Sequence, residues 1–139
     1  MKLATAHATL RADAPDYVVD LSAGRHALQG DEGPHEGGAD RAPSPFAFVL
    51  AGLAQCTAAT LRMYMQRKGW PAGTVSVDVE LRVGPERTQT ILRTIAVDAA
   101  LDDAQWTRLG EICEKTPVTL FVKRGTPIDT TLRRNPRKP

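Results

Sequence analysis

The sequence predicts an α+β domain in which an antiparallel sheet packs on a long buried central helix, with a second helix beside it. Three observations carry this. Phe46–Leu61 runs sixteen residues without a charge, between a helix-start and a helix-stop signal. Thr74–Val83 alternates apolar and polar residues without an error. Asp102 and Gln105 stand at capping-box spacing ahead of an apolar stripe. With 139 residues, the chain makes about one domain, able to bury roughly two thirds of its unfolded surface without disulfides or metal.

Leu3–Leu10, Tyr17–Ser22 and Arg25–Gln29 read as short strands, separated by turn residues at Asp13–Asp16 and Ala23-Gly24. Gly30–Pro45 (GDEGPHEGGADRAPSP) is dense in Gly, Pro and acid, and must be a loop. Ser44 is a capping residue, Pro45 suits the first helical position, and Gly69 with Pro71 stops the helix. The uncharged run falls short of the ~20 apolar residues of a membrane span, and Gln55, Thr57 and Thr60 interrupt it, so no membrane insertion is expected. A helix apolar nearly all round is instead one buried on every side. So small a domain cannot supply that burial alone. A homodimer is expected.

In Thr74–Val83 the residues Val75, Val77, Val79, Leu81 and Val83 share one face, which describes a half-exposed antiparallel strand. Gly84–Arg87 turns the chain into a second strand, Thr88–Asp98. After the cap at Asp102, Trp106, Leu109, Ile112 and Cys113 fall on one helical face. Thr116-Pro117 begins a new short element, and Thr126–Leu132 (TPIDTTL) reads as a closing strand. Residues 1–132 form the domain, and 133–139 form a basic tail.

Charge excludes little. Four of the 18 basic residues lie in that tail, which leaves a body with 14 basic against 16 acidic residues. Without stacking aromatics or a basic face, a basic tail is a solvated end, and no nucleic-acid partner is expected. Asp31, Glu32, His35, Glu36 and Asp40 crowd the Gly-rich loop, but their spacing matches no metal motif, and a solvated acidic turn is expected. Gly37-Gly38 reads as a hinge. Three histidines do not make a rich zinc site, no serine sits in a nucleophile elbow, and no cofactor fingerprint occurs. The first residues carry no apolar leader and place Asp13 early, so a cytoplasmic protein is expected.

Two thiols remain, Cys56 and Cys113. Cys56 lies in the middle of the apolar helix, where a cysteine is either a small hydrophobe or, with a cationic or dipolar neighbour, a nucleophile. SPFAFVLAGLAQCTAATLRMYMQRKGWP resembles the central helix of the OsmC/Ohr family of thiol-dependent peroxide reductases, in particular its OsmC-like branch. The preceding GDEGPHEGGADRAPSP is similar to that branch's DE-P…GG-x-D-x-x-PSP loop, and ICEKTPVTLFVKRGTPIDT to its K-C-P-V stretch and final strand. The resemblance spans about Gly24 to Leu132. It implies an intertwined homodimer with paired central helices, active sites at the interface, and reduction of organic hydroperoxides in oxidative-stress defence. It also implies that Cys56 is the peroxidatic cysteine of a peroxiredoxin-type cycle, with an external thiol or dithiol as reductant.

Two departures stand against the pattern. The second cysteine of K-C-P-V is Thr116 here, and the nearest other thiol is Cys113, three residues earlier. If the helix ran through both positions they would lie ~5–6 Å apart at Cβ, so Cys113 is a candidate resolving thiol; otherwise it fills the core beside Trp106 and Ile112. The carboxylate that the family places near the start of the central helix is also missing, its position falling on Ala47. None of Arg11, Arg25 and Arg41 sits in a motif that inherits the role of the arginine it orients. The alternative is therefore a catalytically reduced family member that binds a small apolar ligand at the dimer interface.

Overall fold

Ser44 sits in extended conformation and its hydroxyl accepts the Ala47 N–H, which starts helix α1 (Pro45–Lys68) with a proline at its first turn. Gly69 closes the helix in the left-handed region, at φ 67°, and the Gly69 and Trp70 amides return to the Gln66 and Met65 carbonyls. The computed structural model describes residues 1–71 and 73–134; the end of the basic tail, with two of its four basic residues, lies outside them.

Strands β1 (Ala6–Thr9), β2 (Val19–Ala23) and β3 (His26–Gly30) form an antiparallel meander in the order β1-β2-β3. β4 (Thr74–Val83) and β5 (Gln89–Asp98) form a separate antiparallel pair in the register Val75↔Val97, Val77↔Ile95, Val79↔Arg93 and Leu81↔Ile91. The single expected sheet is thus two sheets. The period-two burial of β4 and β5 follows their hydropathy, and the inward face of β4 packs on α1.

Helix α2 (Asp103–Cys113) begins at the expected capping box: the Asp102 carboxylate accepts the Gln105 N–H, and the Gln105 side chain accepts the Asp102 N–H, both at 2.8 Å. Helix α3 (Pro117–Arg124) follows, so the described residues form three α-helices where two are expected. The reason is the proline. The residue before a proline is pushed out of helical conformation, and Thr116, at φ −64° and ψ 149°, ends any continuation of α2 and caps α3.

The core is small. Leu61, Met65, Leu109 and Cys113 form its buried centre, with Tyr64, Trp70, Val75, Ile95 and Val97 packed around it. Tyr64 and Trp70 meet edge to face at 5.4 Å, so the chain just past the helix folds back against α1. Burial of one such leucine stabilises by about 1.5–3 kcal/mol.

One chain alone does not bury α1 on every side, in line with expectation: Leu53, Thr57, Leu61 and Met65 make one buried stripe, while Phe46, Val49 and Met63 are exposed. Three expectations need correction. Thr126–Leu132 forms no strand, and Ile128 and Leu132 are 88% and 97% exposed. A strand exists only against a partner's hydrogen bonds, and no strand among the described residues pairs with this segment. Trp106 lies at the edge of the inner face of α2, 42% exposed, whereas Leu109 and Cys113 are buried. Cys113 and Thr116 do not share a helical face, since α2 ends between them.

Helix α1 is long and apolar enough to cross a membrane by length and composition. Here it is the core helix on which β4, α2 and α3 pack. The accessible surface of 11253 Å² far exceeds the roughly 7,100 Å² of a compact monomer of 15.1 kDa.

Candidate functional site

Cys56 is half-buried on α1, about three turns from its start, where the helix's own dipole has faded. A second helix makes up for it. The Val118 N–H, in the first turn of α3, donates to Cys56 Sγ at 3.5 Å, and Thr60 Oγ1 lies 3.9 Å from the same sulfur. Thr116 and Pro117 create this arrangement by starting a helix there. An N–H at a helix N-terminus presents positive potential to the sulfur, the orientation that favours negative charge on it.

The residue next to Cys56 opens a polar cluster inside an otherwise apolar layer. Thr57 is fully buried; its hydroxyl donates to the Leu53 carbonyl at 2.7 Å and accepts from Arg93 Nη1 at 3.0 Å. The same Nη1 donates to Thr119 Oγ1 at 2.8 Å, and Nη2 to the Cys113 carbonyl at 2.9 Å. Thr119 Oγ1 in turn shares a hydrogen bond with Thr116 Oγ1, which also accepts the Thr119 N–H and so caps α3. Every buried side-chain polar atom among the described residues has a partner. Beside the cluster a cleft of about 670 Å³ opens between α1, α3 and the β4–β5 pair, lined among others by Leu53, Leu81, Arg93, Thr119 and Val122. Glu114 and Lys123 pair at its rim, and the ammonium beside Glu114 holds that carboxyl below its ordinary value.

Cys113 lies in a different setting. It is buried among Leu61, Met65 and Leu109, and burial pushes its thiol up from the ordinary value against the opposing pull of the Arg93 guanidinium. Both cysteines are free thiols. Their sulfurs have separate neighbours: the α3 amide at Cys56, apolar side chains at Cys113.

No motif marks Arg93 as a site residue, although the alternation of β5 carries a signal for it. In β5 the inward positions are Ile91, Arg93, Ile95 and Val97, so an arginine occupies a slot that the alternation reserves for apolar side chains. Ala47, at the position of the missing carboxylate, is exposed in the first turn of α1, and that turn carries no acid.

The acidic loop also differs from the expected solvated turn. Asp31 is buried, and its carboxylate accepts the Glu32, Ala39 and Arg41 N–H groups at 2.7, 3.3 and 3.0 Å. The Arg41 amide leads the groups that hold its carboxyl below the ordinary value. At Gly38 a Cβ would meet the Glu32 carbonyl oxygen at 2.0 Å, so close passage of the backbone requires a glycine there. No group of three metal-ligating side chains occurs among the described residues.

Comparison with known proteins agrees with this architecture. Residues 37–131 match the OsmC-like protein family. The chain superposes on an OsmC-like protein from Mycoplasma pneumoniae with a TM-score of 0.72 and 15% identity, covering 88% of each chain. The organic hydroperoxide resistance protein OsmC of Legionella pneumophila gives 0.63 and 16%, over 88% of this chain and 90% of that one. The organic hydroperoxide resistance protein OhrB of Bacillus subtilis gives 0.58 and 17%, over 89% and 92%. At these identities the structures establish the fold. No curated protein sequence matches the chain.

Proposed function

The chain belongs to the OsmC-like protein family, and from that premise we propose that it reduces organic hydroperoxides in oxidative-stress defence, with Cys56 as the attacking thiolate. The observation that carries this reading is the α3 amide aimed at Cys56 Sγ. The Cys56 thiolate attacks the terminal oxygen of R–O–O–H. An S–O bond forms, the O–O bond breaks, and the alkoxide takes a proton to leave as alcohol. Cys56 is then a sulfenic acid. An external thiol attacks that sulfur, water leaves, and a second thiol equivalent releases Cys56 from the mixed disulfide. Cys113 is assigned to the core and not to resolution, because it is buried among apolar side chains and the helix that would align it with position 116 has ended. The cleft beside Arg93 is the proposed seat of the hydroperoxide's apolar portion.

The functional unit is proposed to be a homodimer in the cytoplasm, where reductant is available. The exposed apolar face of α1, the unpaired Thr126–Leu132 segment and the excess accessible surface all support a second copy. Light scattering should give the mass of two chains; a monomer at micromolar concentration would reject the dimer.

One experiment tests the chemistry. Intact mass and thiol trapping after one equivalent of cumene hydroperoxide should show a sulfenic acid on Cys56, and Cys56→Ser should abolish thiol-dependent peroxide consumption. A Cys56–Cys113 disulfide would instead make Cys113 the resolving thiol. A second reading, the binding of a small apolar ligand, is favoured by a cleft of about 320 Å³ where Leu10, Tyr17, Leu21 and Phe48 converge between the N-terminal sheet and α1. Thiols that stay unoxidised would select it.

A further inference from the structure

Arg93 is 13% exposed and points from β5 into the helical layer. A buried guanidinium is tolerated when its donors are met, yet a well-packed apolar side chain commonly serves stability equally well. Its presence among Ile91, Ile95 and Val97 therefore asks for a reason other than stability.

The geometry offers one. The two hydroxyls that Nη1 binds belong to Thr57 and Thr119. Thr57 follows Cys56 on α1, and Thr119 follows Val118 on α3. These are the residues immediately after the two partners of the sulfur–amide contact. The remaining nitrogen, Nη2, holds the Cys113 carbonyl at the end of α2. One side chain from the sheet thus ties the thiol-bearing helix to the helix whose first turn faces the thiol, and anchors both to the end of a third. The planar fork suits this task, since its donors diverge at fixed angles; a lysine is a single point donor. The other charges near the fork are Glu114, 3.8 Å from Arg93, and Lys123, paired with Glu114.

We infer that Arg93 is a positioning residue for Cys56: through Thr57 and Thr119 it sets α3 against α1 so that the Val118 amide points at the sulfur. The inference rests on Cys56 being the nucleophile, and it assigns Arg93 no contact with the peroxide.

The test measures the rate of Cys56 alkylation by iodoacetamide across pH in a Cys113→Ala background, alongside cumene hydroperoxide turnover. Arg93→Met keeps the volume and removes the fork. It should move the alkylation profile up by roughly one pH unit and lower turnover at pH 7 about tenfold. Much of that loss should return at pH values above the displaced profile, as lost packing alone would not allow. Arg93→Lys should fall between the two proteins. An unchanged alkylation profile in a folded Arg93→Met protein overturns the inference. Should that variant not fold, Thr119→Val, which removes only the α3 end of the link, should shift the profile in the same direction; no shift there overturns the inference as well. If the unmutated protein consumes no hydroperoxide, the enzymatic reading fails, while the alkylation profiles still decide the role of Arg93.

Discussion

Cys56 and Cys113 occupy one layer of helices, yet their surroundings are opposite in kind. Cys56 is half-buried and faces the amide end of α3, where peptide dipoles present positive potential to sulfur. Cys113 closes α2 and turns its thiol into Leu61, Met65 and Leu109, where the lost hydration of a thiolate outweighs the pull of the Arg93 guanidinium. Arg93 touches both regions, but differently: it reaches hydroxyls beside Cys56 and the backbone carbonyl of Cys113 itself. On the proposed reading, what a neighbouring helix end presents makes the same functional group a nucleophile in one place and a filler in the other.

The strongest way to break this comparison is differential alkylation. In native protein at neutral pH, Cys56 should react about 100-fold faster than Cys113, and in denaturant the two rates should converge. Equal native rates, read by peptide mass mapping, would show that the packing around Cys113 protects nothing. A smaller effect tests the cap that creates the amide end. Thr116 is fully buried, caps α3 and bonds to Thr119. Thr116→Ala should cost about 1–2 kcal/mol in chemical denaturation and slow Cys56 alkylation as the first turn of α3 frays. Loss of stability with no change at Cys56 would detach the cap from the site.

The smallest effect is in pH. The Cys113 value is raised in the folded state by burial, so its contribution is fully present below the unfolded thiol's value of about 8.5 and is lost as pH rises through the folded value. The stability gap between the unmutated protein and Cys113→Ala should accordingly narrow above that pH. Asp31 has the opposite sign. Its carboxyl is held below its ordinary value by backbone amides, chiefly that of Arg41, so its contribution is present above the ordinary carboxylate value and is lost as pH falls through the folded one. In Asp31→Asn the acid limb of the stability profile should flatten; an unchanged limb would mean that the loop does not depend on that carboxylate.

Much of the fold was legible from short-range chemistry. Ser44-Pro45, Gly69 and the Asp102/Gln105 pair set helix ends by hydrogen bonds within a few residues, and β4 announced itself through strict alternation. The family resemblance likewise rested on local strings, and membership in the OsmC-like family bears it out. Thr126–Leu132 failed as a strand for the complementary reason: its residue preferences are local, but the partner a strand requires is not.

Sequence by itself determined the order of α1, β4, β5 and α2, both ends of α1, the start of α2, and the presence of a thiol on the central helix, because capping and periodicity act over one or two turns of chain. Tertiary structure alone decided what each thiol meets. The Val118 amide is 62 residues from Cys56, and Arg93 is 36 residues from Thr57 and 26 from Thr119. The burial of Asp31 likewise depends on a loop closing over it across ten residues. Such contacts form when packed helices and sheets bring distant backbone and side chains to hydrogen-bond distance, and no periodicity along the chain encodes that meeting.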